Sequence, residues 1–434
     1  MTRRPDFAID LRAKSRKVER TMNRITGLIE SISKPRFEED SVDRLNYKVT
    51  TYLALGAALT IFSKEYWGDP IQCWTNAEFP NAWVQYTRDI CFVENTYYVP
   101  IERDLPEKSA DRASKTLGYY QWVPFILMFQ ALCYNAPHVF WRMLNWSSGI
   151  QLRAIITMAH EASKQTQKDA KDNLEAISSH LHNELQSNVK FMQHSSPFVI
   201  LARQFQRSTD SYLTLLYILT KILFILNNSL QFFFMAMFIG GGNYYWGWEV
   251  TKTTVNGLSW RDTGLFPRVT MCDFQVQHNR RTVQTYSVQC VLSANMLNEK
   301  LFVFIWWWTA FLQVTNFSNL FYWIALVSFK GNREQFVKDL LITGKYRQEL
   351  DEDEYLAGLE DFVDVYLKRD GILLFRLMVN NAGEIVSSEV MAQLFKKYKH
   401  WRDKFDFQEA VEGIEGEKMP MDYENSTLNS FVSL

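Results

Sequence analysis

Four stretches of the chain are apolar over lengths near the ~20 residues that a helix needs to cross a bilayer. They cover residues 45–63, 119–141, 212–240 and 301–329. The third and fourth are the most apolar and exceed a minimal span, which leaves room for tilt. The first is the most polar, interrupted by Thr50, Thr51, Tyr52 and Thr60 and narrowed by Gly56-Ala57-Ala58. Its competing reading is a buried soluble helix. Three further spans argue for the membrane instead, as does residues 1–44 being rich in Arg and Lys without the apolar core of a cleavable signal. The pattern predicts a mainly α membrane protein built on a four-transmembrane-helix bundle. Both termini are expected in the cytoplasm: an N-terminal segment 1–44, a loop 142–211 and a C-terminal domain and tail 330–434 inside, and loops 64–118 and 241–300 outside. Lys and Arg within fifteen residues of the membrane ends number 10 on the expected inside and 6 outside, the sign of the positive-inside rule.

Composition narrows the functional classes. With 47 Lys+Arg against 48 Asp+Glu over 434 residues, the chain has no overall pull toward nucleic acid. Aromatic residues make up 15% and charged residues only 22%, while mean hydropathy is slightly negative at -0.21, so apolar character is concentrated in segments. Four of the five cysteines fall in the expected outer loops, Cys73 and Cys91 in the first, Cys272 and Cys290 in the second. Disulfides persist on oxidising surfaces, so this partition supports the same orientation by an independent route. Four cysteines allow three connectivities, and spacing does not choose among them. Neither pair has the short spacing of structural zinc, and Cys133, within the second span, reads as a packing residue.

Between the spans, Tyr286, Val288, Cys290 and Leu292 alternate with polar residues, the period of a half-buried strand. The outer loops are thus expected to form a small disulfide-braced domain containing β-structure. The inner loop carries a helical stripe of Leu174, Ile177, Leu181 and Leu185, opened by an Asp172–Glu175 capping box, which is expected to pack on the tail in a helical cytoplasmic domain. A turn is expected at Asp370-Gly371, and loss of order after about residue 405, where the tail becomes acidic. The sequons at Asn145, Asn227, Asn316 and Asn425 lie outside both outer loops. An enzyme is not expected. The histidines are scattered, His180-Leu181-His182 has no metal-ligand partner at suitable spacing, and no phosphate-binding glycine loop occurs. No cofactor is called for.

Several segments resemble the innexins, the gap-junction channel family of invertebrates. They include Pro35-Arg36-Phe37-Glu38-Glu39-Asp40 with Asp43-Arg44-Leu45-Asn46-Tyr47, and Tyr66-Trp67-Gly68-Asp69-Pro70-Ile71-Gln72-Cys73. Tyr119-Tyr120-Gln121-Trp122-Val123-Pro124 is the most specific motif. Phe266-Pro267-Arg268-Val269-Thr270-Met271-Cys272-Asp273-Phe274 and Ser287-Val288-Gln289-Cys290-Val291-Leu292 carry it through the second outer loop, and Tyr366-Leu367-Lys368-Arg369-Asp370-Gly371 into the tail. Connexins carry three cysteines per outer loop; claudins and tetraspanins lack the Tyr-Tyr-Gln-Trp motif.

The resemblance implies a ring of self-associated subunits, eight in number, docked head to head between plasma membranes and open to mixing with other innexins. It implies bridges Cys73–Cys290 and Cys91–Cys272. It also implies a pore lined by the first span and the N-terminal segment, with Thr50, Thr51 and Thr60 as candidate lining residues. Pro124 and Pro137 are candidate kinks that could serve gating. Lys221 reads as a snorkelling residue near the inner interface, and Asn227, Asn228, Gln231, Gln313, Asn316 and Asn319 as interhelical hydrogen-bonding groups. Residues 1–21, with a net charge of +4, extend beyond the usual family start; a pore plug and a lipid-bound arm are the two readings. Three functional variants stay open: an autonomous channel, an adhesive or regulatory subunit conducting only in heteromers, and an unpaired hemichannel.

Overall fold

The protein is described by a computed structural model covering residues 39–100, 114–145, 151–165, 167–187, 211–257, 265–279, 282–343 and 358–417, with 105, 106, 108, 111 and 112. The basic extension and the segment leading to residue 39 lie outside the described residues.

Asp40 starts the first helical run by accepting the backbone N–H of Ser41. A turn at Ser41–Arg44 passes through π-helical Leu45–Val49 into α1 (Thr50–Tyr66). The other long helices are α3 (Val123–Asn145), α6 (Tyr212–Phe238) and α8 (Ser293–Ser328). α1 packs on α3, α3 on α6, α6 on α8, and α8 returns to α1, which closes a four-helix bundle. Among the described residues, α6, α8 and the helical stretch Tyr120–Asn145 are long and apolar enough to cross a membrane. α1 is shorter and more mixed.

One end of the bundle carries a five-stranded antiparallel sheet of order β1-β5-β4-β2-β3. Its strands are β1 (Ile71–Trp74), β2 (Thr96–Tyr97), β3 (Thr116–Leu117), β4 (Val269–Asn279) and β5 (Thr282–Leu292). In β5, Val288, Cys290 and Leu292 are buried and Ser287, Gln289 and Val291 exposed, as the alternation predicts. Helix α2 (Asn81–Val93) covers the sheet, and α7 (Trp246–Val255) packs on α8. α6 reaches α7 through Gly240-Gly241-Gly242. The last two adopt positive φ, and a Cβ on Gly240 would meet Trp246 at 2.6 Å, so this tight reversal needs glycine.

The opposite end is helical: α4 (Leu152–Ala162), α5 (Gln167–Ser187), α9 (Lys330–Thr343), a π-helical segment Phe362–Leu367, α10 (Lys368–Ala382) and α11 (Glu384–Glu417). Leu174, Ile177 and Leu181 join the same buried core as Phe362, Phe375 and Phe395, so the inner-loop helix packs on the tail as its stripe predicts. Three local expectations need correction. α5 begins at Gln167, so Asp172 lies inside it and no capping box forms there. Asp370 and Gly371 lie in the first turn of α10, where a Cβ on Gly371 would press on Leu367 at 3.1 Å, so packing rather than a turn calls for glycine. Finally, α11 continues to Glu417, past residue 405, and the rest of the tail expected to lose order, 418–434, lies outside the described residues.

Candidate functional site

The sheet is bonded covalently from both of its sequence halves. Cys73 and Cys290 face each other in the β1–β5 register and form one disulfide, and Cys91 of α2 forms the second with Cys272 of β4. The bonds span 217 and 181 residues. In the chain-entropy account loops of that length contribute about 5 kcal/mol each, an upper bound where membrane insertion already restricts the unfolded chain. Cys133 is a free thiol in α3. Asp273 at the sheet surface accepts hydrogen bonds from Tyr97 Oη (3.0 Å), Arg112 (2.6 Å) and Ser287 Oγ (2.6 Å). Burial, with the neighbouring Asp273 carboxylate, raises the Tyr97 pKa.

The Tyr119-Tyr120-Gln121-Trp122 motif joins this sheet to the bundle. Tyr120 is fully buried and donates to the carbonyl of Phe92, while Gln121 Nε2 donates to Asn95 Oδ1 at 3.0 Å. Tyr119 meets Phe238 and Phe266 edge-on, and Trp122 is exposed. Pro124 occupies the first turn of α3, where a missing N–H costs nothing, so it is no kink. Pro137 lies in the interior and removes a helical hydrogen bond there. Near this junction Glu65 is buried, with no hydrogen-bond partner for either carboxylate oxygen, and burial lifts its pKa to about 8.

Two of the three threonines assigned to the pore face inward instead. Thr50 is 3% exposed, bonded to the Leu45 carbonyl and accepting from Trp308 Nε1. Thr51 donates to the Ala131 carbonyl and accepts from Asn135. The π-turn just before Thr50 rotates these side chains toward α3 and α8. Thr60 remains on an exposed face with Tyr52, Gly56 and Ser63.

At the helical-domain end lies a cluster that sequence reasoning missed. Lys221 does not snorkel: it is 3% exposed and donates to both Asp43 oxygens, at 2.7 and 2.8 Å, with Asp40 at 3.7 Å. Tyr217 Oη donates to Asp43, and the ammonium sits 4.7 Å from the Tyr217 ring centre. Asp40 accepts from Asn319 and Trp323 of α8. Glu39 pairs with His138 of α3 at 2.5 Å, and His138 stacks on Tyr47. Asn46 and Asn316 exchange reciprocal amide bonds. The backbone carbonyl of Glu39 accepts from Asn381 of α10, and Asp370 of α10 accepts the N–H groups of Leu213 and Thr214 at the start of α6. One lysine inside an apolar run was the available signal, since a charge at membrane depth demands a partner. Deeper in the bundle Asn228 bridges to the Thr309 carbonyl and Gln313, as expected, whereas Gln231 Oε1 has no partner.

The innexin family profile matches residues 39–398. Among curated relatives, the chain is 34% identical to Innexin unc-9 of Caenorhabditis elegans over 83% of its own length and 92% of that protein's. It is 33% identical to Innexin eat-5 over 86% and 90%, and 33% identical to Innexin-3 over 85% and 87%, both from the same organism. With the disulfide-braced sheet, the apolar bundle and a match along most of its length, this chain belongs to the innexin family of gap-junction channel proteins.

Proposed function

We propose that the chain is a channel subunit whose four bundle helices all cross the plasma membrane, with the sheet outside and the helical domain in the cytoplasm. Eight copies form a ring around a pore, and rings of adjacent cells dock through the sheets to pass ions and small molecules. The observation that carries this reading is the position of the two disulfides at the bundle end opposite the helical domain, since such bonds persist on oxidising faces. The Asn381–Glu39 contact supports an even number of crossings, because the start of the first helix and the tail meet at one end. The exposed face of α1, with Thr60 on it, is the proposed pore lining, and disulfide bracing lowers the ordering cost of docking.

Paired-cell recording with this chain alone tests the proposal. Junctional current in a homotypic pair is expected, and its loss is expected when Cys73, Cys91, Cys272 and Cys290 are all replaced. Current only in mixed pairs would favour the heteromeric reading, and dye uptake by isolated cells without junctional current would favour a hemichannel. Cysteine labelling from the cytoplasmic side at these four positions would overturn the topology.

A further inference from the structure

Between α3, α6 and α8 lies a cavity of about 210 Å³, lined by Phe129, Phe234, Phe238 and Phe302 together with Gln130 and Gln231. The two glutamines come from facing helices and are 6% and 3% exposed. Each sits seven residues from the sheet-side end of its helix, at Val123 and Phe238, or roughly 10 Å into the bundle at 1.5 Å per residue. Phe129 and Phe234 are more than half exposed on the outer surface and flank the opening, so entry is lateral, from the apolar layer around the bundle. This placement needs only the membrane setting that family membership supplies, not the docking proposal.

The lining restricts the occupant. No charged side chain lines the cavity, which excludes an ionic ligand. A cavity of 150 Å³ holds a six-carbon ring, so this one takes about eight to ten heavy atoms. Water alone is poorly served, because it needs two to four polar partners and the phenylalanine walls offer none. A plain hydrocarbon chain fits the walls but leaves Gln231 Oε1 buried and unpaired. A hydroxyl resolves both constraints, since it donates to Gln231 Oε1 and can accept from the amide of Gln130. We infer that this cavity is a binding site for an uncharged alkyl chain bearing a hydroxyl, drawn from the bilayer as a medium-chain alcohol or a hydroxylated lipid chain.

The test uses the purified full chain in lipid and two photoreactive probes: a seven-carbon primary alcohol with a mid-chain diazirine, and the same chain without the hydroxyl. After illumination and digestion, label is expected on residues 126–130 and 231–238, displaced by unlabelled alcohol. The hydrocarbon probe is expected to label about five- to tenfold less at equal concentration, the worth of one buried hydrogen bond. Gln231→Leu should abolish that difference while keeping the hydrocarbon label, and Ile126→Trp should fill the cavity and remove both. Displacement by total lipid extract as well as by the alcohol would identify a lipid source. Label spread evenly over the exposed helix faces, equal labelling by the two probes, or labelling undiminished by Ile126→Trp at unchanged elution volume would overturn the inference. Should Ile126→Trp fail to assemble, the probe ratio in Gln231→Leu decides alone.

Discussion

Replacing Lys221 by Met removes the lysine that pairs with Asp43 and leaves the methylene stem nearly unchanged in volume. The ammonium makes two short bonds to Asp43 and stands 3.7 Å from Asp40. Both Asp43 and the lysine are almost wholly buried, so no water replaces the lost partner. Removing one member of such a pair costs about 3–5 kcal/mol, most of it the penalty of the carboxylate left behind. At ~2 cal/mol/K of unfolding entropy per residue over 434 residues, that lowers a thermal midpoint by about 3–6 °C. The double variant Lys221→Met/Asp43→Asn removes the orphaned charge, and Asp40 keeps its bonds from Ser41, Asn319 and Trp323. It should recover more than half of the loss. Fluorescence-detected size exclusion after heating reads both midpoints. A single variant within 1 °C of the parent, or a double variant lower by the sum of the two single effects, would refute the claim that the charges act as a compensated pair.

Glu65→Gln is expected to stabilise the protein at neutral pH by about 1–3 kcal/mol, because the native carboxyl is buried unpaired with its pKa near 8 rather than 4.5. In the parent, stability held below about pH 4.5 falls as pH rises toward 8 and then levels, since the folded state binds the proton more tightly. Midpoints measured from pH 6 to 9 should show this slope in the parent and a flatter line in Glu65→Gln. Cysteine placed at position 60 should react with a water-soluble thiol reagent in the open channel, whereas cysteines at 50 and 51 should stay inert; equal modification of all three would contradict the inward placement of Thr50 and Thr51. Reducing the disulfides should lower the proteolytic resistance of the sheet while the bundle and helical core stay protected, as limited digestion would display. Gln121→Leu, which removes the bonds to Phe92 and Asn95, should loosen the α2–α3 junction by about 1–3 kcal/mol, read as faster hydrogen exchange in α2.

Apolar runs were the most legible layer of the sequence. α6 and α8 coincide with their runs almost to the residue at one end, because a continuous apolar stretch has no other stable use in lipid. β5 was equally visible through its alternation. Pairings across the chain were not: Lys221 meets Asp43 over 178 residues, and neither charge carries a mark of its partner. Thr50 and Thr51 misled because a hydroxyl in a membrane helix serves water and a neighbouring backbone equally well, and only the π-turn at Leu45–Val49 decides which way they point. Pro124 misled for a positional reason, since its effect depends on whether it stands in the first turn or later. Gly371 was read as a turn by composition, whereas its small size accommodates Leu367.

The two outermost strands of the sheet are four residues and two residues long. They cover little of the long central pair: β1 pairs only with Gln289–Leu292 of β5, and β2 meets β4 only at Tyr97–Met271, so among the described residues most of the outer edges of β4 and β5 has no strand beside it. Under the docking proposal, an opposing copy has main-chain donors and acceptors to pair with at the end of this hairpin, and such backbone bonds tolerate side-chain change at the same positions.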